Sequence, residues 1–357
     1  MKILFSFEST RMPLRSVTLI KWLIHRGHEI HVLYNESICD GKMEGKNLLK
    51  NIPIITHVDD VNLYDIWILD VLNHKRYGDM SAYSEMLSQF KNEIWIISFD
   101  DGSDFFSHRL NSKLQERVSC WLNNLLEKDL ENYISPIREK CMLIPTYIES
   151  SNELRNIYHS DVKPFLDKTT CWSFSGAITG CIPSIDCRVN SINVMSRSVH
   201  PYNIRVTGYD PSIFLKFLYD NMIDINFKKS HVSQTTYINE INNSKFVLSP
   251  KGNCQPLRRQ YESFAFNNLV FINENNTVDY LCEGIPGIHF VSYNTDCSDL
   301  KEKLRFYGEN LEDANKIANA GRQFWETNCR IYPSGEISKF MSDYLVNKIY
   351  SITGINV

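Results

Sequence analysis

Several features are missing from this 357-residue chain, and each absence narrows what it does. No run approaches eighteen apolar residues, so the sequence predicts no membrane-spanning helix. The ten cysteines include no C-x-x-C pair. Cys171, Cys181 and Cys187 come nearest to a cluster, at a spacing that fits no common zinc site. The ten histidines include no H-x-x-x-H arrangement, and His25, His28 and His31 fall on a helix end, a turn and a strand. The expectation is a protein without a metal centre or cofactor, with reduced thiols, in the cytoplasm. No G-x-G-x-x-G follows the first apolar run, which argues against a dinucleotide-binding oxidoreductase. Basic residues are not in excess: 38 Lys and Arg face 42 Asp and Glu, a formal charge of −4. A broadly basic nucleic-acid binder is thereby disfavoured. There is no internal repeat and no low-complexity tract.

What remains is ordinary soluble composition, 43% apolar and 22% charged, on a chain long enough for two domains. The opening MKILFSFEST, with one lysine, a short apolar run and then Glu8, reads as a first strand rather than a signal peptide. Lys2 to Phe7 as strand, Val17 to His25 as helix, Gly27 as its stop and Glu29 to Tyr34 as strand make a right-handed parallel crossover. Further strands are predicted at 53–57, 66–71, 93–99 and 141–145. Helices are predicted at 80–90 and, as one long amphipathic element, at 107–128.

After a polar stretch near 152–168, a second set of strands is predicted at 170–176, 203–207, 245–248, 269–272 and 288–291. Helices are predicted at 187–197, 311–328 and 335–349. The fold class is α/β, with two Rossmann-like, doubly wound parallel sheets. The expected domains are 1–160, 161–332 and a terminal segment 333–357. In such sheets ligands bind beyond the carboxyl ends of the strands.

The stretch from Ser244 to Asn273, SKFVLSPKGNCQPLRRQYESFAFNNLVFIN, carries the most chemistry. It reads as strand, small polar loop, helix, strand. Pro256 suits a first helical turn, and Arg259 and Glu262 stand three apart on one helical face. Such a pair is more often a solvated ion pair worth under about 1 kcal/mol. Here, however, it follows Ser249, Pro250, Lys251 and Gly252 at a strand end. The order of these elements resembles the donor-binding half of exostosin-type glycosyltransferases: apolar strand, Pro250 and Gly252, Arg259, Glu262, then the strand 269–272. The chain departs from that pattern where Asn267 or Asn268 stands in place of a glycine and where the last strand lacks a proline. The phrase LIHRGHEIHVLY is similar to the end of the first helix in two-domain GT-B glycosyltransferases. The resemblance implies two facing sheets and a terminal helix crossing back onto the first domain.

It also implies roles. Ser175 and Gly176 with Thr179 and Gly180 would meet a pyrophosphate through backbone amides at a helix start, with Arg188 following. A tight turn whose glycines serve geometry alone is an equal alternative. Thr207 and Gly208 end the next strand and would flank the base. Ser249 and Gly252 would line the donor site, Lys251 and Arg259, with Arg258 as substitute, would neutralise phosphate charge, and Glu262 would accept from ribose hydroxyls. On the first domain Asp101, Asp100 and Glu8 are the candidate bases for an acceptor hydroxyl, with His108 behind them. Asp-Asp-Gly-Ser is equally good turn and helix-cap chemistry. Phe105 and Phe106 are a candidate acceptor platform.

The expected activity is transfer of a sugar from a nucleotide-sugar donor to a glycan or lipid-linked glycan acceptor. Metal independence is expected from the missing metal-site spacings, and inversion is implied by the resemblance. A sugar-nucleotide epimerase or hydrolase, or a non-catalytic sugar-nucleotide-binding protein, would use the same scaffold. Lys228, Lys229 and the face of the 107–128 segment offer basic groups for peripheral contact with a membrane, although such residues more commonly form a solvated surface.

Overall fold

The computed structural model describes residues 1–7, 13–34, 49–70, 81–98, 116–123, 138–143, 161–176, 182–197, 202–206, 233–250, 258–274, 284–332 and 336–357. The chain divides into two compact units, Met1–Asn156 with Ile331–Val357, and Ile157–Arg330.

The first unit is built on seven parallel strands: β1 (Lys2–Phe7), β2 (Glu29–Leu33), β3 (Ile54–Ile55), β4 (Ile66–Asp70), β5 (Glu93–Ser98), β6 (Val118–Asn123) and β7 (Cys141–Leu143). Their order is β3-β2-β1-β4-β5-β6-β7, so the winding reverses between β1 and β4. β1 is apolar on both faces because both are covered: Ile3, Leu4 and Phe5 are fully buried. Helix α1 (Pro13–His25) follows β1, and α2 (Ser81–Gln89) lies between β4 and β5. Gly27 closes α1 at φ 88°, with His28 N–H on Leu23 O and Gly27 N–H on Ile24 O. A β-carbon would disfavour that left-handed turn.

One expectation fails here. The predicted helix over 107–128 contains β6, which pairs with β5 and β7. Val118, Cys120, Trp121 and Leu122 are all buried, so the segment fills an inner strand position with apolar groups on both faces. In sequence, such a run has no alternation and matches helical spacing equally well.

The second unit carries β8 (Thr170–Gly176), β9 (Tyr202–Val206), β10 (Ser244–Ser249), β11 (Leu269–Asn273) and β12 (Val291–Tyr293), all parallel, in the order β12-β11-β10-β8-β9. Its helices are α3 (Ile182–Ser196), α4 (Gln234–Asn243), α5 (Arg258–Ala265), α6 (Leu300–Glu309) and α7 (Leu311–Phe324). The core is aromatic: Trp172 of β8 stacks on Phe246 of β10 at 4.0 Å, and Phe271 of β11 meets Trp172 edge-on at 5.2 Å. Paired strands bring these residues level, since Phe246 stands opposite Trp172.

Four boundaries move. The strand predicted at 288–291 begins at Val291, because Ile285 to His289 form a turn through Gly287 at φ 79°. The helix predicted from 187 starts at Ile182, and that predicted to 328 ends at Phe324, where a wider turn, Trp325–Cys329, takes over. The last helix, α8 (Lys339–Thr353), starts four residues later than predicted, where the Ser338 hydroxyl accepts from Met341 N–H. It belongs to the first unit and packs against β6 and β7. Ser342 accepts from Trp22 Nε1 at 3.1 Å, and Arg26 donates to the Val357 oxygen at 2.6 Å. No helix among the described residues is long and apolar enough to cross a membrane.

Candidate functional site

Helix α5 is polar in sequence and buried in the fold. Gln260, Tyr261, Glu262, Ser263, Phe264 and Ala265 are all buried, because α5 lies against β10, β11 and α7. Phe264 packs edge-on against Phe324 at 5.7 Å. The helix closes with Asn268 N–H on Ser263 O and Asn267 N–H on Phe264 O. Asn267 takes the left-handed conformation, φ 57°, in the position where Gly27 serves α1.

Arg259, in the first turn of α5, reaches across to the end of β8. Its guanidinium lies over the Phe174 ring, 4.7 Å from the centroid. It also occupies the space that a side chain at position 176 would need, so the close approach requires Gly176. Its Nε is buried and makes no hydrogen bond among the described residues. Burial pushes the Tyr293 phenol well above its usual pKa, with the Cys187 thiol adding to the rise, while the Ser191 hydrogen bond and the Arg259 charge oppose it.

Other buried polar atoms at the carboxyl ends of these strands have no hydrogen-bond partner among the described residues. They are Ser249 Oγ at the end of β10, Asn273 Oδ1 at the end of β11 and both amide atoms of Gln260 in the first turn of α5. Buried polar groups in folded proteins are almost always satisfied, so these atoms are candidates for hydrogen bonds from a polar ligand. With a cation beside them, the fitting ligand is anionic and rich in oxygen.

Glu262, one turn along α5, accepts from the Tyr237 hydroxyl of α4 at 2.6 Å. Tyr237, Glu240, Ile241, Ser173, Phe174, Val247 and Arg259 line a small depression. In the first unit, the fully buried Ser16 hydroxyl of α1 donates to the Asp70 carboxylate at the end of β4. Trp67 Nε1 donates to Ser6 Oγ at 2.8 Å below it.

The sequence-derived donor set thus lands partly in one place. Gly176, Ser249, Arg259 and Glu262 stand on the carboxyl ends of β8 and β10 and on the helix that follows β10. Ser175 is the residue before Gly176 in β8, and Arg258 opens α5. Arg188 is half-buried on α3. Glu8, Asp100, Asp101, His108, Phe105, Phe106, Thr179, Gly180, Thr207, Gly208, Lys228, Lys229, Lys251, Gly252 and Pro256 lie outside the described residues. Sequence reasoning passed over Tyr237 and Glu240, which sit in the polar stretch QTTYINEINN, and Gln260, whose neighbours drew attention first. It also missed Asp70, although a carboxylate closing the apolar run IWILD was a readable signal. Among the described residues, no group of three His, Cys, Asp or Glu side chains is placed to hold a metal ion.

No protein-family model matches the chain. Over 84 residues it is 30% identical to protein O-glucosyltransferase 2 of Danio rerio. That stretch is 23% of this chain and spans 17% of the length of the relative. Solved structures align along nearly the whole chain. HepE of Anabaena, in complex with UDP-glucose, superposes with a TM-score of 0.62 at 13% identity, covering 97% of this chain and 100% of that one. A glycosyltransferase from Rickettsia africae gives 0.57 at 12% identity, with 98% of each chain covered. The lipopolysaccharide outer core galactosyltransferase WaaB gives 0.56 at 14% identity, covering 98% and 99%. At these identities the likeness shows a shared fold, the two parallel-sheet architecture of GT-B glycosyltransferases.

Proposed function

We propose that this protein is a glycosyltransferase that moves a sugar from a nucleoside-diphosphate sugar to a glycan or lipid-linked glycan acceptor. The observation that carries the proposal is Arg259: a guanidinium over Phe174 and against Gly176, its buried Nε without a hydrogen bond among the described residues. A diphosphate matches that combination of charge and unmet hydrogen bonds. UDP is the nucleotide proposed first, since HepE is described with UDP-glucose and, in a second complex, with UDP.

In the proposed reaction the acceptor oxygen bonds to the anomeric carbon and its proton passes to a carboxylate. The bond from that carbon to the diphosphate breaks, and the electron pair leaves with the diphosphate. Arg259, with Lys251, offsets the charge that develops there. The carboxylate is assigned from sequence to the first unit, with Asp101 ahead of Asp100 and Glu8, and the transfer inverts the sugar without a metal. A protein working on lipid-linked acceptors from the cytoplasm would touch the membrane peripherally.

The test is release of the nucleotide, a diphosphate from UDP-, GDP- and dTDP-sugars and CMP from CMP-sugars, across a panel of those donors. Turnover with one UDP-sugar is expected; neither turnover nor nucleotide binding across the panel sinks the proposal. Asp101→Asn should spare donor binding and abolish transfer, and unchanged transfer removes Asp101 from the mechanism.

A further inference from the structure

We propose that Phe174 is a positioning residue that holds the Arg259 guanidinium for a diphosphate without engaging any of its hydrogen-bond donors. The inference rests on the donor site being that of the proposed function, and adds what sets the cation in place there. Its observation is a guanidinium carbon 4.7 Å from the centroid of the Phe174 ring. Among the described residues no carboxylate pairs with Arg259, and its side chain makes no hydrogen bond. The aromatic face is therefore the contact that orients the charge.

The fold fixes that ring. Phe174 stands in β8 opposite Ile204 of β9, is 1% exposed and belongs to the core that holds Trp172 and Phe246. Residues two apart in a strand share a face, so the ring and the bare backbone of Gly176 form one shelf at the end of β8. Because β10 is the neighbour of β8, the helix that follows β10 brings Arg259 over this shelf. The ring attracts the cation through its quadrupole, the more so where water is excluded.

The kind of contact decides what the cation can do. A carboxylate in place of the ring would bond the same N–H groups that a diphosphate needs, and the ligand would have to displace it. An aromatic face takes none of the five N–H donors, so the planar fork is left for phosphate oxygens. The buried Nε without a bond accords with donors kept for a ligand rather than used within the fold. A ring that merely filled the core would matter equally whether or not an arginine lay over it.

The experiment is a double-mutant cycle read by UDP affinity: wild type, Phe174→Leu, Arg259→Ala and the double variant, with thermal unfolding monitored in parallel. Phe174→Leu should weaken UDP binding about tenfold, as for a cation–π contact shielded from water. In the Arg259→Ala background the same change should alter UDP affinity by no more than about twofold, because the ring acts through the guanidinium. Uridine, which has no phosphate, should bind wild type and Phe174→Leu equally. Phe174→Met carries the cycle if the leucine variant fails to fold, since methionine adapts to the same apolar space. An equal loss in both backgrounds, or no loss in either, overturns the inference while leaving Arg259 in the donor site. Failure of both variants to fold assigns the ring to the core and overturns it too. UDP binding that Arg259→Ala leaves intact, or no UDP binding by wild type, contradicts the proposed donor site and this inference with it.

Discussion

The amino group of Lys168 lies 2.7 Å from the carbonyl of Phe266, 98 residues further along the chain, with the lysine 2% exposed. It also holds Asn242 O, so one side chain ties the segment following α5 to the last turn of α4. Burial pulls its pKa from 10.5 to about 7, with Lys163, Lys245 and Arg322 adding repulsion. A neutral amine still has two N–H donors, enough for both carbonyls. Above about pH 7 the folded chain has released this proton while the unfolded chain keeps it up to about pH 10.5. The unfolded state then binds more protons, so stability from this group rises with pH across that window, by up to about 1.4 kcal/mol per unit. Urea unfolding at pH 7, 8 and 9 should show that rise in wild type and its loss in Lys168→Met. Parallel slopes in the two proteins would contradict it.

Asn267 offers a separate stability test. Its φ of 57° is a conformation that glycine adopts freely and asparagine tolerates, and its buried Oδ1 has no partner. Asn267→Gly should match wild type or exceed it by up to about 1 kcal/mol in urea unfolding. Asn267→Val should lose about 1–3 kcal/mol. A glycine variant markedly less stable than wild type would show that the asparagine side chain matters more than the backbone angle.

Gly176 separates stability from binding. A β-carbon there meets the tip of the Arg259 side chain, which can swing aside, rather than fixed backbone. Gly176→Ala should therefore change the unfolding free energy by under about 1 kcal/mol. UDP affinity should fall about tenfold or more as the guanidinium leaves the ring of Phe174. The opposite pattern, a large loss of stability with normal UDP binding, would remove Arg259 from the donor site.

Much of the fold was legible because parallel strands covered on both faces leave short apolar runs such as ILFSF, IWILD and FVLS. The same property hid β6, where VSCWLN fits a helix as well as a buried strand. Arg259 and Glu262 could be found because both stand on one short helix after a strand. Their partners could not. Phe174 comes from a strand 85 residues earlier, and Tyr237 from a polar helix whose apolar spacing says nothing about a carboxylate. Lys168 was invisible for another reason: a lysine in a polar link reads as solvated, and only the carbonyls of Asn242 and Phe266 explain its burial. The glycine expected at 267 or 268 was missing from the sequence, yet its conformation is present at Asn267. The physical requirement was a left-handed backbone, and asparagine meets it.

The central claim is that Arg259 binds the diphosphate of a nucleotide donor. Calorimetric titration of UDP into wild type, Arg259→Lys and Arg259→Ala at one ionic strength tests it most directly. The account predicts saturable binding by wild type and a loss of about 10- to 100-fold in the alanine variant, matching a hydrogen bond to a charged group. The lysine variant should fall between them, since it keeps the charge and loses the planar fork over Phe174. Equal UDP affinity in all three proteins would contradict the account.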